Sequence, residues 1–406
     1  MNLPKTKKSR LPALVVWFGV VSLLTDVGTE MIYPLLPLFL SDVLHAPRTF
    51  IGAVEGAAEA TASLLKLVSG RISDGLARRK PLVVFGYGLS SLIRPVVGFA
   101  TQPWHVLATR VADRIGKGVR SSPRDALLAD ATDPSVRGRA YGFHQAMDNA
   151  GALVGPLVAT ALLAIGIKMR NVFFWAAVPG VLAMCALVFG VREQARDGAV
   201  DADGRNDRGK TPFNPTLKRY LVCVALFGLG NSSDAFLLLR GQQCGIAVRY
   251  IPLLWMAHNG TKAALSTWGG ALSDRVGRRR LIIAGWSLYA ATYLLFGFAS
   301  RQWEIWALFV VYGVYYSLVE GSEKALVADL VPAGARGRAF GWFNGVIGIA
   351  ALPASLAFGA LADRFGARVA FTASASLAAA ASLWLALLVR PPALPAAAQS
   401  SSTAQS

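Results

Sequence analysis

The chain has 406 residues, 54% of them hydrophobic and 16% charged, with a mean hydropathy of +0.46 and a formal net charge of +18. So apolar a composition excludes an ordinary water-soluble domain and points to a bilayer as the solvent. The positive charge sits in loops between apolar runs, with no basic patch interleaved with aromatic residues, so nucleic acid is excluded as the partner that explains it.

Runs of roughly 20 residues, long enough to cross a bilayer, are expected at 12–40, 49–69, 81–101, 104–130, 139–166 and 170–190. The first carries Ser22, Asp26, Thr29, Glu30 and Tyr33 at spacings of three and four, hence on one helical face. It is too long for a cleavable signal, runs through two acids and has no small-residue cleavage site. The second run places Glu55, Glu59 and Lys66 on one face, and the third holds Arg94 beside Pro95. The fourth is the most polar span, with Arg110, Asp113, Arg114, Lys117, Arg120, Ser121 and Arg124 in one stripe that must face water or protein.

A polar stretch at 192–218, rich in Gly and Asp, cannot bury a core and is expected to be a linker between halves 1–191 and 219–390. The second half repeats the pattern at 219–240, 248–272, 281–299, 303–330, 338–362 and 367–389, and an Ala-, Pro- and Ser-rich tail at 391–406 is expected to be disordered. Its charges are sparser: Asn231, Ser232, Ser233 and Asp234 in the seventh run, His258, Asn259 and Lys262 in the eighth, and Tyr312, Tyr316, Glu320 and Glu323 in the tenth. The two tyrosines either hold a ring of the substrate or merely pack. His258 and Asn259 read as a polar contact between helices. Cys185, Cys223 and Cys244 have no CxxC spacing and the four histidines stand apart from paired acids, so neither a metal nor another cofactor is expected.

The halves are copies. GRISDGLARRK at 70–80 matches GALSDRVGRRR at 270–280, and RGRAYGF at 137–143 matches RGRAFGW at 336–342. Bases gather in alternate loops, at Lys5, Lys7, Lys8, Arg10, Arg78, Arg79, Lys80, Arg137, Arg139, the linker, Arg278 to Arg280, Arg336 and Arg338. The positive-inside rule therefore puts both termini and the linker in the cytoplasm, in a multi-pass protein of the cell (inner) membrane.

The repeated 70–80 and 270–280 motifs resemble the loop signature of the major facilitator superfamily, the first copy differing at Ala77. The resemblance covers nearly the whole chain. It implies an all-α membrane protein with twelve transmembrane helices in two pseudo-symmetric six-helix bundles, acting as a monomer. It also implies that Asp74, with its counterpart Asp274 and the bases Arg78 and Arg278, latches helix ends at the cytoplasmic face. A loop acid near a helix N-terminus is favoured there in any case. Gly142, Gly151, Gly155 and Pro156 resemble the antiporter motif of exporting members, with Ala159 and Thr160 replacing the usual following glycines. Gly151, Gly155 and Pro156 are accordingly assigned to gating. Arg114, followed by Lys117 and Gly118, resembles the fourth-helix motif associated with proton coupling.

Counting about 1.5 Å per residue from the outer ends puts Asp26, Glu30, Arg114 and Lys117 together near the bilayer midplane. A carboxylate beside cations stays ionised, whereas one in a dry site can take a proton at neutral pH. Asp26, Glu30 and Arg114 are therefore the expected proton-coupling set. Tyr33, Glu55, Glu59, Lys117, Arg120, Asp234, Tyr312, Tyr316 and Glu323 are the expected substrate-binding set. The alternative is a permanent salt-bridge network fixing helix register, which apolar packing would do better. Arg94 is expected to be structural at the periphery, and Lys66 and Arg124 to belong to the gate. The expected activity is proton-coupled export of a small organic molecule. Uptake of an anionic metabolite or metal chelate is the alternative within the class, and a non-transporting sensor the alternative outside it. No nucleophile, base and orienting group cluster, so catalysis is not expected.

Overall fold

A computed structural model describes residues 11–74, 76, 78–132, 137–193, 215–332 and 336–389. Most of the 192–218 linker and all of the 391–406 tail lie outside these residues, as do the side chains of Asp74 and Asp274. Twelve long helices follow in order: α1 Ala13–Val43, α2 Arg48–Asp74, α3 Lys80–Phe99, α4 Pro103–Asp130, α5 Arg137–Ala164 and α6 Met169–Gly190. The second half supplies α7 Pro215–Gln243, α8 Ile251–Val276, α9 Arg278–Phe298, α10 Gln302–Asp329, α11 Arg336–Phe365 and α12 Ala367–Leu388. The expected spans are recovered to within two turns.

Among the described residues nine helices are long and apolar enough to cross a bilayer by composition. The three that miss are α2, α4 and α8, whose polar residues face protein and cavity. Large side chains such as Leu92, Phe99, Ile165 and Phe189 point outward and exposed. On a membrane protein such a surface is solvated by lipid.

Two of the irregular helices, α1 and α7, line the space between the halves. In α1, Pro34 and Pro37 remove backbone donors, and the chain tightens to a 3-10 turn at Tyr33–Leu35 before continuing. In α7 the helix stops at Gly230 and resumes at Ala235, which leaves Asn231 to Asp234 unwound. Irregular backbone at this depth is tolerated only where it lines a cavity or is buried in protein.

The halves meet most closely at the end away from the basic loops. Asp363 at the end of α11 accepts from the amides of Arg48 (3.0 Å) and Thr49 (2.8 Å) and from the Thr49 hydroxyl (2.7 Å). A carboxylate of one half thus caps the first turn of α2 in the other, worth about 1 kcal/mol. Gln242 on α7 donates to Asp42 on α1 at 2.5 Å. Below these contacts α2 and α11 touch backbone to backbone, because Gly52, Gly56 and Gly359 leave no room for a Cβ. Toward the basic end the halves part around two cavities.

Candidate functional site

The central cavity, about 430 Å³, lies between the halves at mid-depth. Asp26, Thr29, Glu30 and Tyr33 of α1, Glu55 and Glu59 of α2, and Arg114, Lys117 and Arg120 of α4 form its N-terminal wall. A second cavity of about 550 Å³ continues toward the basic end, sharing Asp26, Lys117 and Arg120 with the first. It adds Lys66, Arg124 and Asp148 from one half and Lys324 and Asn344 from the other. The charged face of α1 is held against α5 by two glycines. A Cβ on Gly151 would lie 2.6 Å from the Leu23 carbonyl and 2.8 Å from the Asp26 Cβ. One on Gly155 would lie 2.7 Å from the Val27 carbonyl and 2.8 Å from the Glu30 Cβ. These two positions, expected in gating, set the depth of both carboxylates.

Charges in the N-terminal half fall into a paired layer and an unpaired one. Glu55 accepts two bonds from Arg110, both at 3.0 Å, with each side chain almost wholly buried. Arg94 donates to Asp113 at 2.9 Å and to the Thr25 carbonyl at 3.1 Å. Arg94 was expected at the periphery; its long side chain instead reaches inward to the cavity wall. Arg120 donates to the Ser90 hydroxyl at 2.7 Å and lies 4.4 Å from the Tyr87 ring centroid. By contrast, Arg114 is 8% exposed and its Nε has no hydrogen-bond partner. Among the described residues neither Arg114 nor Lys117 is within ion-pair distance of a carboxylate.

Glu30 crosses the cavity: its carboxylate accepts from Trp255 Nε1 of α8 at 2.6 Å, and the Tyr33 and Trp255 rings are 5.0 Å apart. Asp26, one turn below, opens on both cavities. The Ser22 hydroxyl donates to Asp148. The C-terminal wall comes from the unwound Asn231 to Asp234, Trp255, Tyr316, and Ile347, Ala351 and Ser355 of α11. Asp234 accepts from the Tyr312 hydroxyl at 2.5 Å.

Three further expected assignments are corrected. Tyr312 is fully buried behind Asp234 and does not line the cavity, so it orients a wall residue; Tyr316, one turn on, does line it. Glu323 points away from the cavity, accepting from Trp286 Nε1 of α9 at 2.8 Å. Arg78 is exposed, and the residue that acts as Arg278 does is Arg79. Arg79 meets Asp130 at 2.7 Å, and Arg278 meets Asp329 at 2.6 Å.

Sequence reasoning passed over Trp255, Asp148 and the α11 residues. Asp148 was detectable as a mid-span acid inside the glycine motif. Trp255 and the small residues of α11 carry no signal of their own. Among the described residues no group of His, Cys, Asp and Glu has the makings of a metal site.

A family model described as Major Facilitator Superfamily matches residues 18–258 and, again, 220–405. "Uncharacterized MFS-type transporter MJ1317" of Methanocaldococcus jannaschii is 32% identical over 369 residues, 89% of this chain and 92% of that one. Multidrug resistance protein MdtG of Proteus mirabilis is 24% identical, covering 93% and 96%. Among solved structures, a bacterial homologue of the human lysosomal transporter Spinster superposes with a TM-score of 0.77 at 15% identity, over 93% of this chain and 96% of that one.

Proposed function

Because the chain belongs to the major facilitator superfamily, we propose that it is a proton-coupled secondary transporter that exports a small organic molecule by alternating access. Its two working parts are the halves 1–191 and 219–390. The observation that carries the reading is a buried, charge-lined cavity whose walls come from both halves and whose charges are only partly satisfied. Buried charges without partners are costly to hold, and inside a membrane protein they mark a substrate or proton path.

In this reading the basic end faces the cytoplasm, in the cell (inner) membrane, and the monomer is the transporting unit. The cavity loads from the cytoplasm. Asp26 meets water arriving through the second cavity, while Glu30 is tied to the opposite half through Trp255. Rocking of the halves breaks the Glu30–Trp255 bond, because Glu30 belongs to one half and Trp255 to the other. A proton then replaces the Trp255 N–H as the partner of the Glu30 carboxylate. Export is supported by the Gly151, Gly155 and Pro156 motif and by the relationship to MdtG. Proton-coupled import of an anionic metabolite is the second reading, favoured by the unpaired Arg114 and Lys117.

The test is flux in proteoliposomes under an imposed pH gradient, with a panel of organic solutes. Asp26→Asn and Glu30→Gln are expected to insert normally and to catalyse solute counterflow without gradient-driven accumulation. If both variants accumulate solute as the parent does at every gradient, neither carboxylate is the proton site. The sign of the gradient that drives uptake into vesicles of known orientation separates export from import.

A further inference from the structure

We infer that the central cavity selects a zwitterion, a compact molecule carrying both an amine and a carboxylate or phosphate. This rests on the transporter reading above and names its substrate class. The two walls are unlike: the first half lines the cavity with four acids and four bases, of which Arg114 and Lys117 lack an ion pair among the described residues, and the second half offers an acid among rings and small polar residues. On the α4 side, Arg114 is buried with its Nε unpartnered, and Lys117 stands one turn away, also without a carboxylate in ion-pair reach among the described residues. On the opposite side, among the described residues, the wall holds no lysine or arginine and its charged residue is Asp234.

Asp234 sits where α7 is unwound, and one hydroxyl, that of Tyr312, bonds it. An ionised carboxylate has room for about four such bonds. Tyr316 and Trp255 line the same wall, the Tyr33 and Trp255 rings lie 5.0 Å apart at 47°, and Lys262 Nζ and Arg110 already stand 5.0 and 5.2 Å from the Tyr316 and Tyr33 ring centroids. Ring faces of this kind attract an ammonium group. Asp234 and these rings therefore form an amine site, and Arg114 with Lys117 forms an anion site. An anion alone leaves Asp234 without a counter-charge, and a cation alone leaves Arg114 so. Only a ligand with both signs satisfies both walls, and it does so by bridging the two halves that alternating access must move together. A volume of about 430 Å³ is within the range of small-molecule sites.

The test uses the purified full-length protein in nanodiscs and matched triads of probes. One is phenylalanine, N-acetylphenylalanine and phenylalanine amide; the other is phosphoethanolamine, its N-acetyl form and ethanolamine. The two triads separate a carboxylate from a phosphate head. In at least one, calorimetry is expected to give the zwitterion about tenfold or more tighter binding than either single-sign member, the equivalent of about 1.4 kcal/mol. Asp234→Asn should abolish the advantage over the N-acetyl form by weakening the zwitterion far more than that form. Arg114→Gln should abolish the advantage over the amine-only form by weakening the zwitterion far more than that form.

The inference is overturned if no zwitterion binds, if single-sign members bind as tightly, or if both variants weaken all three members alike. Vesicle flux separates its fate from that of the transport reading. A zwitterion that binds but never crosses sinks transport and leaves the class standing. A single-sign solute driven by the pH gradient leaves transport standing and sinks the class.

Discussion

At the basic end the two halves are built alike, and at the depth of the cavity they are not. Arg79 bonds Asp130 at the end of α4, and Arg278 bonds Asp329 at the end of α10. Next in sequence, Lys80 donates to the carbonyls of Val188 and Val191 at the end of α6, and Arg279 to those of Leu385 and Ala386 at the end of α12. Each half thus ties the start of its third helix to the ends of its fourth and sixth. Higher up, the alignment of Leu127 to Asp130 with Leu326 to Asp329 matches Arg94, Arg110, Asp113 and Lys117 to Tyr293, Phe309, Tyr312 and Tyr316. Where the first half pairs Arg94 with Asp113, the second sets two tyrosine rings 6.1 Å apart. The duplicated fold shares its mechanical clamp and divides its chemistry: charge on one wall, aromatic rings and a single acid on the other.

Charge and aromatic packing carry different risks, and the comparison breaks most visibly at Arg110. Arg110→Met leaves the nearly buried Glu55 without its partner and is expected to cost about 3–5 kcal/mol, read as a large fall in the thermal unfolding midpoint in detergent. Arg110→Phe with Glu55→Leu, which gives the first half the apolar character of the second, should recover most of that loss. If the double variant is as unstable as the single one, the pair has no apolar equivalent and the two walls are not interchangeable in packing.

A smaller effect separates the two clamps. The Arg79 side chain is 6% exposed and that of Arg278 is 30% exposed. Arg79→Ala should therefore cost about 2–3 kcal/mol, as for a buried bond to a charged group. Arg278→Ala should cost about 1 kcal/mol or less and lose that contribution in high salt. Equal costs for the two would remove burial as the distinction between them.

How much of this was legible in the residues follows from what each signal encodes. Apolar run length and loop charge report directly on a bilayer, so the twelve spans and the repeat could be read in advance. The stripe on α4 was readable too, since spacings of three and four fix a helical face. A face does not fix which partner it meets. That Arg110 takes Glu55 while Arg114 takes no carboxylate depends on how α2 and α4 are rotated against each other. Tyr312 and Tyr316 share a stripe, yet one lies behind Asp234 and the other in the open. The break in α7 was not legible: Asn231 to Asp234 read as part of one continuous seventh span, because Asn, Ser and Asp compete with helix hydrogen bonds without always breaking a helix. Glu323 looked like a cavity acid until Trp286, on the neighbouring helix, supplied its donor.

The central claim, that the halves open alternately on the two sides of the membrane, is tested most directly by fastening them where they now touch. With Cys185, Cys223 and Cys244 replaced by serine, Asp42→Cys and Gln242→Cys would be joined across the far end by a short, reducible bis-methanethiosulfonate linker. Transport in proteoliposomes is then expected to stop, while a cysteine placed at Asn231 still reacts with a maleimide supplied from the basic side. Reduction should restore flux. Undiminished transport through a verified cross-link would contradict alternating access between these two halves.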